Sequence, residues 1–296
     1  MKSIIIIKDR YGGLANELFR FANLIAFCRE NNFFLINSKF GIISGKNNRA
    51  FSQYFTKTRN NIFSSNPNIN LSGVVIPHWY RNFQHRLIFK LIRFGSKLGS
   101  IKYKKMKNYH GDNVDLDNKD TLINFNAIIS IEGWGWKGEK TFRKHSSFLR
   151  DFFKVDPFYT KKIDKIVNQL KFNNEIIFGI HIRRADFKEH YPDLYFPFSY
   201  YFKIINLVKK TFENKKVSFL ICSDEKIPDY ISNLSNIYLT DGKEISDLYA
   251  LSKCDYLIGV SSTFSGWASF HGEVPLYNLK PNIKEINLSS FEIVRF

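Results

Sequence analysis

Two arginines and an aspartate follow directly on an apolar run that is typical of a buried strand. The run, Ile176–Ile182, contains His181 near its end and is followed by Arg183, Arg184 and Asp186. Guanidinium groups hold phosphates through paired hydrogen bonds, and a neighbouring carboxylate can keep one guanidinium in position. This spacing therefore predicts a phosphate-binding loop at a strand end, with a surface salt-bridge cluster as the alternative.

Two further polar loops also follow apolar, strand-like runs. Ser223-Asp224-Glu225 comes after Val217–Cys222, and an acid there can accept paired N–H groups, such as those of the guanine edge, or cap the next helix. Ser261-Ser262-Thr263-Phe264-Ser265 comes after Tyr256–Val260 and opens a helical pattern. Hydroxyl and backbone N–H groups at a helix N-terminus attract phosphate, and an ordinary N-cap uses the same residues. Three such loops on one sheet edge together predict a site for a phosphorylated ligand.

These loops need a sheet whose strand ends lie side by side, and the second half of the chain has the pattern for one. Short apolar runs without polar alternation, which suit strands covered on both faces, alternate there with helical patterns. The strand-like runs are Ile176–Ile182, Val217–Cys222, Ile237–Leu239 and Tyr256–Val260, and the helical patterns lie at about 158–171, 199–213, 244–253 and 263–271. This alternation predicts a parallel, doubly wound sheet, in which ligands bind outside the carboxyl ends of the strands.

The first half begins in the same way, with a strand, a glycine-rich turn and a helix. The run Ile4–Ile7 leads into Gly12-Gly13, and apolar residues then recur at helical spacing up to Cys28. Further strands are predicted at Phe33–Ile36, Val74–Pro77 and Ala127–Ile131, and 40–72 reads as irregular or inserted loop. We therefore predict an α/β chain of two Rossmann-like domains, residues 1–155 and 156–296, with a basic insertion at about 40–120.

Composition excludes several classes of protein. With 296 residues, 44% hydrophobic and 17% aromatic, the chain can bury large cores and is not a disordered protein. Its three cysteines, at 28, 222 and 254, contain no C-x-x-C pair, which argues against a disulfide framework or structural zinc. No apolar stretch is long enough to span a membrane. These features predict a cytoplasmic protein with at most peripheral membrane contact.

Positive charge is concentrated in one third of the chain. The net charge is +17, and the 81 residues from Asn31 to Gly111 contain 14 Lys and Arg but no Asp or Glu. Such a one-signed surface attracts nucleic acid, an anionic membrane or phosphorylated small molecules. Nucleic-acid binding is the rival hypothesis of another class, but it does not explain the three loops of the second half. No nucleic acid is therefore expected as a partner.

Residues 83–107 carry the strongest basic pattern. From Phe83 to Leu98 the apolar residues fall on one broad helical face, and Arg86, Lys90, Arg93 and Lys97 fall on the adjacent one. A basic amphipathic helix with aromatic residues is typical of a membrane surface, where each Lys or Arg contributes roughly 1 kcal/mol. The alternative is a domain helix whose apolar face packs inward. We predict peripheral contact of 83–107 with an anionic membrane on the inner face, and leave that alternative open.

Four segments of the chain occur in an order that resembles a known family. They are residues 12–22 (GGLANELFRFA), 181–186 (HIRRAD), 223–224 (SD) and 262–267 (STFSGW). Together they resemble the ordered motifs of the α-1,2-fucosyltransferases, glycosyltransferase family eleven. The resemblance implies an inverting enzyme of the GT-B type, with two Rossmann-like domains facing across a cleft and no metal or other cofactor. Such enzymes transfer L-fucose from GDP-β-L-fucose to a glycan or lipid-linked glycan acceptor, here in α-1,2 linkage and in surface polysaccharide or lipopolysaccharide synthesis.

The resemblance also implies roles for individual residues. Arg183 would hold the β-phosphate, and His181 and Asp224 would contact the guanosine end of the donor. The diphosphate pocket would be lined by Ser262, Thr263, Phe264 and Ser265, and Gly13 and Asn16 would approach the donor from the first domain. A fixed cation at the β-phosphate stabilises the charge that develops as GDP leaves, an effect worth about 10²–10³ in rate.

Three positions depart from the family pattern. Glu17 stands in place of a glutamine, Ser261 of an asparagine and Gly266 of a tryptophan. Glu17 adds a carboxylate near the expected acceptor hydroxyl and becomes a candidate general base. Its rivals for that role are Asp9, Asp186 and Glu189, and the residues expected to act in catalysis are Arg183, Asp186 and Glu17. The missing tryptophan leaves GDP-linked relatives of fucose open as donors, and an inactive glycan-binding relative is the third alternative.

Asp115-Leu116-Asp117 has the D-x-D spacing with which metal-dependent sugar transferases hold a divalent cation. The motif lies in the polar stretch Asp112–Asp120 without a strong strand-like run before it, so we interpret it as a solvated turn. No cluster of His, Cys and acidic residues has metal-site spacing either, and no metal site is predicted.

Overall fold

The chain divides into two compact units, residues 1–156 and 157–295. A computed structural model describes residues 3–37, 40, 51–56, 68–71, 74–77, 90, 94–97, 102–108, 113–118, 121, 127–173 and 176–295. Each unit contains its own mainly parallel sheet with helices packed on it. The prediction of an α/β chain with parallel sheets is therefore confirmed.

The first unit is built on a six-stranded sheet. Its strands are β1 (Ile4–Ile7), β2 (Phe34–Asn37), β3 (Asn68–Leu71), β4 (Val74–Pro77), β5 (Tyr103–Asn108) and β7 (Ile128–Gly133), and β6 (Val114–Asp115) pairs with β8 (Trp136–Lys137) beside it. The spatial order is β3-β4-β2-β1-β7-β5, with β3 antiparallel to β4 and the other pairs parallel. After β1 the chain forms β2 on one side of it, and later β7 pairs with β1 on the other side. The topological switch point therefore lies between β1 and β7.

The helices described in this unit pack around a cluster of aromatic side chains. They are α1 (Leu14–Glu30), α2 (Glu139–Lys144) and α3 (Ser146–Phe152). Phe21 of α1 contacts Phe40, Phe152 and Phe153, with ring centroids 4.9, 6.0 and 5.8 Å away. Because large aromatic rings bury much apolar area, this cluster fixes α1 and hence the glycine-rich turn at its N-terminus.

The second unit is a five-stranded sheet in which every described pair is parallel. Its strands are β9 (Ile176–Ile182), β10 (Val217–Ser223), β11 (Ile237–Leu239), β12 (Tyr256–Gly259) and β13 (Leu276–Asn278). Its helices are α4 (Pro157–Phe172), α5 (Phe187–His190), α6 (Phe198–Thr211), α7 (Asp229–Ser232), α8 (Glu244–Leu251) and α9 (Thr263–Gly272). The spatial order β11-β10-β9-β12-β13 reverses direction between β9 and β12, where a doubly wound sheet opens a crevice.

Among the described residues, the sequence did not predict the strands β3, β5, β6, β8 and β13 or the short helices α2, α3, α5 and α7. The reading of 40–72 as irregular loop is therefore wrong for Asn68–Leu71, which forms β3 by antiparallel pairing with β4. β5 contains three lysines in six residues and lies at the edge of the first sheet, next to β7. Lysines on an edge strand hinder pairing with another chain, and they also remove the apolar pattern that predicts a strand. Of the insertion predicted at 40–120, the structure describes a 3-10 helix, Phe51–Tyr54, and the strands β3 to β6.

The basic helix predicted from Phe83 to Leu98 lies mostly outside the described residues. The lysines that follow it belong to β5, which pairs with β7 from Tyr103 to Asn108. Membrane contact through 83–107 therefore stays a prediction. In the described ranges, no helix combines the length and the apolar character needed to cross a bilayer.

The D-x-D segment Asp115-Leu116-Asp117 contacts the N-terminus of α2. The carboxylate of Asp117 accepts the backbone N–H of Lys140 at 2.7 Å and that of Thr141 at 2.9 Å, and the Thr141 hydroxyl donates to it at 2.6 Å. Burial opposes ionisation, but these hydrogen bonds outweigh it and lower the pKa of Asp117 below its ordinary value. Asp117 thus caps a helix supplied by a distant part of the chain.

Replacing Asp117 with alanine is expected to lower the free energy of unfolding by about 1 kcal/mol, as is usual for the loss of a helix cap. Urea unfolding followed by circular dichroism measures the loss. Asp193→Ala removes an exposed aspartate from the second unit and serves as the control. Equal stability of the two variants and the wild type would contradict the capping role.

Candidate functional site

The carboxyl edge of the second sheet is centred on His181 near the end of β9. This residue pairs with Cys222 of β10 on one side and with Gly259 of β12 on the other. The loops that follow these three strands therefore begin side by side at the switch point. Arg183 Nη1 lies 3.3 Å from Asp224 Oδ2, so the first and second of the predicted loops are in direct contact.

Asp224 holds the loop that carries the two arginines. Its Oδ1 accepts the backbone N–H of Arg184 at 2.9 Å, and its Oδ2 accepts that of Ala185 at 3.3 Å. A carboxylate that accepts two successive backbone N–H groups fixes the course of the loop. The side chain of Arg183 leaves the sheet edge from this fixed backbone.

The side chain of Arg184 is fully engaged in hydrogen bonds and ring contacts within the protein. Its Nε donates to Glu225 at 2.7 Å, its Nη1 donates to the carbonyl of Phe196 at 2.6 Å, and its Nη2 donates to the hydroxyl of Tyr195. The guanidinium also lies over the rings of Tyr195 and Phe198. Every nitrogen of the guanidinium has a partner, so Arg184 ties the segment after α5 to the end of β10.

Arg183, by contrast, keeps a 37% exposed side chain at the mouth of the crevice. Its Nη2 pairs with Asp186 at 2.8 Å, and its Nη1 pairs with Asp224. Two carboxylates thus hold the guanidinium in one orientation while one edge of it remains open to solvent. A phosphate that replaces the exposed Asp186 carboxylate would meet a cation already in place.

His181, two residues before this arginine, is buried and uncharged. Its Nδ1 is 2.7 Å from Ser265 Oγ, and its ring centroid is 4.9 Å from that of Phe264. Burial, reinforced by the charge of Arg183, lowers the pKa of His181 to about 3. Gly259 allows this approach, because an added Cβ would lie 2.8 Å from Ser265 Oγ. The neutral imidazole therefore links β9 to the start of α9 by a hydrogen bond.

The N-terminus of α9 supplies partly exposed hydroxyl groups to the same crevice. Ser262 is its N-cap, and the Ser262 hydroxyl accepts the backbone N–H of Phe264 at 3.2 Å. The side chains of Ser262, Thr263 and Phe264 are all partly exposed, whereas Ser265 is buried against His181. A capped helix N-terminus beside an exposed arginine combines two features that bind phosphate.

Asp247 is a buried acid at this edge that was not predicted from the sequence. It lies in the first half of α8, where the thiol of Cys222 donates to its backbone carbonyl at 3.6 Å. Only 6% of the residue is exposed, and Oδ1 has no hydrogen-bond partner in the part of the chain that the structure describes. Burial raises the pKa of Asp247 to about 6, although Thr240 and Gly242 hydrogen-bond to the carboxylate and oppose the shift. An unpaired buried acceptor needs a partner, which a ligand can supply.

The first unit places Gly13 and Asn16 at the start of α1. Gly13 is the N-cap of this helix, and among the described residues no atom outside its chain neighbours and the helix backbone lies within 4 Å of the position that an added Cβ would take. Gly12 before it has φ +72°, which favours glycine, and an added Cβ there would overlap the Asn16 amide. The backbone of Gly13 is therefore open to close approach by a ligand.

Glu17 lies within the first unit and is almost fully buried, at 1% exposure. Both of its carboxylate oxygens accept from Arg20 Nη2 at 2.9 Å, and Oε1 also accepts the backbone N–H of Tyr11 at 2.5 Å. Burial outweighs these interactions and raises the pKa of Glu17 above its ordinary value. Glu17 is thus engaged inside the unit through Arg20, a residue that was not singled out in the sequence.

The predicted site residues therefore fall into two groups. The second unit brings together His181, Arg183, Asp186, Asp224, Ser262, Thr263, Phe264 and Ser265 at one sheet edge, and the first unit places Gly13, Asn16 and Glu17 at the start of α1. Within the described residues, no three His, Cys, Asp or Glu side chains lie in a group that could hold a metal ion.

Comparison with known proteins finds similarity to solved structures but not to known sequences. No family model and no curated protein sequence matches the chain. The fucosyltransferase NodZ from Bradyrhizobium has a similar structure, with a TM-score of 0.58 at 14% identity over 94% of this chain and 95% of that one. A variant of Arabidopsis thaliana FUT1 in complex with GDP gives a TM-score of 0.57 at 15% identity over 98% of this chain and 73% of that one. POFUT1 in complex with GDP gives 0.55 at 12% identity over 93% and 97%. The predicted GT-B-like class is therefore confirmed: the chain has the α/β fold of these fucosyltransferases.

Proposed function

We propose that this chain is a glycosyltransferase that binds a GDP-sugar at the carboxyl edge of the second sheet and transfers L-fucose to a hydroxyl of a glycan acceptor. The observation that carries this proposal is the position of Arg183. Its partly exposed guanidinium is held by Asp186 and Asp224 at a topological switch point, two residues after a neutral histidine that hydrogen-bonds to Ser265 of α9. This is the arrangement that a diphosphate requires.

The diphosphate is the part of the donor that this edge fits best. Arg183 provides a fixed cation, and the start of α9 provides hydroxyl groups at the positive end of a helix dipole. In the reaction, an acceptor oxygen attacks the anomeric carbon while the bond from that carbon to the β-phosphate oxygen breaks. GDP leaves with the bonding electron pair, and Arg183 stabilises the charge that develops.

A carboxylate is also needed to take the acceptor proton. Glu17 is buried and paired with Arg20, whereas the Asp186 side chain is 46% exposed next to Arg183. We therefore propose that Glu17 orders the turn before α1, and that Asp186, released from Arg183 when the phosphate replaces it, takes the acceptor proton. Direct attack from the face opposite the departing phosphate inverts the anomeric configuration.

Recognition of the base is assigned to Asp247. Guanine presents two adjacent N–H donors, and a carboxylate with an unpaired oxygen accepts such a pair. Asp224, the acid predicted for this role, already accepts the backbone N–H groups of Arg184 and Ala185. In this proposal Asp224 positions the arginine loop and Asp247 selects guanine over bases that lack the donor pair.

Fucose as the donor sugar is supported by two independent observations. The four sequence segments resemble fucosyltransferase motifs, and the similar structures include NodZ soaked with GDP-fucose. That NodZ, at 17% identity, is described as an α-1,6-fucosyltransferase, so likeness to it does not support an α-1,2 linkage. The α-1,2 linkage and a role in surface polysaccharide or lipopolysaccharide synthesis rest on the motif resemblance.

Replacing Asp247 with asparagine is expected to weaken GDP binding by about 10–100-fold, because one charge-assisted hydrogen bond to guanine is lost. The carboxylate must be ionised to accept the donor pair, and its pKa is raised to about 6. GDP affinity of the wild type should therefore fall as the pH is lowered through about 6, by more than in the variant. Calorimetric titrations from pH 5 to pH 8 measure both effects.

The asparagine variant controls for titration of the phosphate, which is common to both proteins. Asp229→Asn changes an exposed aspartate of the same unit and is expected to leave GDP affinity and its pH profile unchanged. Parallel pH profiles for the wild type and Asp247→Asn would contradict the assignment of Asp247.

A donor screen tests the proposed function as a whole. The protein is incubated with GDP-fucose or GDP-mannose, and GDP release and sugar transfer to a mixture of oligosaccharides are followed by mass spectrometry. We expect GDP release and a mass increase of one deoxyhexose with GDP-fucose alone. A second measurement compares the melting temperature of the protein with GDP and with an oligonucleotide. Stabilisation by the oligonucleotide and none by GDP would contradict the proposal and favour a nucleic-acid-binding protein.

A further inference from the structure

Two aromatic side chains lie together at the switch point of the first sheet and take no part in the donor site. Tyr11 follows β1 and is 36% exposed, and Trp134 follows β7 and is half-buried. Their ring centroids are 6.2 Å apart and their planes differ by 23°. Rings in full face contact approach to about 3.5–4 Å, so these rings are nearly parallel but not in full face contact. We call this pair the aromatic platform.

The backbone of each platform residue is held in place. The N–H of Tyr11 donates to Glu17 Oε1 at 2.5 Å, and the N–H of Trp134 donates to the carbonyl of Asn108 at 2.6 Å. Trp134 is flanked by Gly133 and Gly135, with φ +88° and +92°. A side chain at Gly133 would overlap the Asn108 carbonyl, so this turn requires glycine. The platform is therefore presented by two constrained loops.

A buried ionic network joins the two loops to each other. Arg20 Nη1 donates to Asp9 Oδ1 at 2.7 Å and to the carbonyl of Gly133 at 2.9 Å, and Gly133 N–H donates to Asp9 Oδ2 at 2.7 Å. Arg20 also pairs with Glu17, which holds Tyr11. Removing one partner from a buried charge pair is costly, so the network holds the two loops that carry the platform at a fixed spacing.

A charged side chain lies just before each platform residue in the chain, Lys8 before Tyr11 and Glu132 before Trp134. Glu132, two residues before Trp134, lies 3.2 Å from Lys8 Nζ and 3.0 Å from Lys105 Nζ. Lys8 is bound to β7 by its backbone N–H, which donates to the carbonyl of Ile131 at 3.1 Å. An aromatic face beside hydrogen-bonding groups of both signs matches a sugar ring, which has an apolar C–H face and a rim of hydroxyl groups.

From this arrangement we infer that Tyr11 and Trp134 bind a pyranose ring of the acceptor glycan. The inference rests on the proposed function, since it names the acceptor site of that reaction. The axial C–H groups of a β-linked hexopyranoside carry partial positive charge and pack on the electron-rich faces of the two rings. Lys8, Lys105 and Glu132 supply donors and an acceptor for its hydroxyls. The switch point of a parallel sheet is where such folds bind ligands.

Saturation-transfer NMR on the full chain tests the platform with three probes, namely lactose, cellobiose and N,N′-diacetylchitobiose. The wild type is expected to transfer saturation to the axial ring protons of at least one probe. Trp134→Leu keeps apolar bulk but has no ring face, and Tyr11→Ala removes the exposed ring. Each variant is expected to weaken binding of that probe about tenfold. Phe172→Leu, which changes an aromatic residue 86% exposed in the second unit, is expected to have no effect.

GDP titration of the same proteins separates this inference from the proposed function. If the two variants lose sugar binding but keep the GDP affinity of the wild type, the platform is supported. If the wild type binds no GDP but binds sugar in a way that depends on Trp134, the platform is still supported and the proposed function fails. Sugar binding by Trp134→Leu and Tyr11→Ala equal to that of the wild type would overturn the inference. A wild type that binds GDP but none of the three disaccharides would overturn it as well.

Discussion

Arg183→Ala is expected to lower kcat/KM for GDP-fucose by about 10²–10³, the usual loss when a preorganised donor to a developing negative charge is removed. The guanidinium is oriented by Asp186 and Asp224 before any ligand binds, so the transition state gains a cation without reorganisation. Because Arg183 is partly exposed and Asp224 still holds the loop backbone, the fold should remain intact. GDP release at subsaturating donor measures the loss, and circular dichroism verifies the fold.

Arg143→Ala is the matched control for this variant. Arg143 is an exposed arginine that also pairs with an acid three to four residues away, Glu139, but it lies on α2 of the first unit. Its replacement should leave kcat/KM within about twofold of the wild type, because exposed ion pairs contribute little. A wild-type rate in Arg183→Ala would remove Arg183 from the phosphate site.

The second large effect concerns stability. Arg20→Ala is expected to lower the free energy of unfolding by about 3–5 kcal/mol, because it leaves the carboxylates of Glu17 and Asp9 without their cation. The guanidinium is buried, with its side chain 1% exposed, so water cannot replace it. Urea unfolding at neutral pH, followed by tryptophan fluorescence, measures the loss.

A double variant separates loss of the ion pair from loss of packing. Glu17→Gln combined with Arg20→Met removes one buried charge of each sign and keeps side-chain volume, so it should recover part of the stability lost in Arg20→Ala. A free energy of unfolding for Arg20→Ala within about 0.5 kcal/mol of the wild type would show that the network does not hold the first unit together.

The strands of both sheets could largely be predicted because they are covered on both faces. Ile4–Ile7 is continuously apolar and Ile176–Ile182 is apolar except for His181, and the two runs coincide with β1 and β9. β5 could not be predicted in the same way. It lies at a sheet edge, where Lys105 pairs with Glu132 instead of packing into a core. Edge strands carry charges that hide the strand pattern.

The loops of the second unit were predicted because strand ends of a parallel sheet meet at one edge. Asp247 and Arg20 were not predicted because each lies within a helix, away from the loops that follow the strands. Asp247 shares the buried face of α8 with Ala250 and Leu251. An acidic residue on an otherwise apolar helix face was the sequence feature that could have identified it. Arg20 stands among buried apolar residues of α1, three positions after Glu17, and this spacing was the corresponding signal.

Calorimetric titration of the wild-type chain with GDP, UDP and ADP tests the central proposal most directly, since it needs neither an acceptor nor a known sugar. We expect one GDP site per chain, binding of UDP and ADP weaker by at least about tenfold, and no measurable GDP heat in Arg183→Ala. The absence of binding heat with GDP, or equal affinity for all three nucleotides, would contradict the assignment of this sheet edge as a GDP-sugar site.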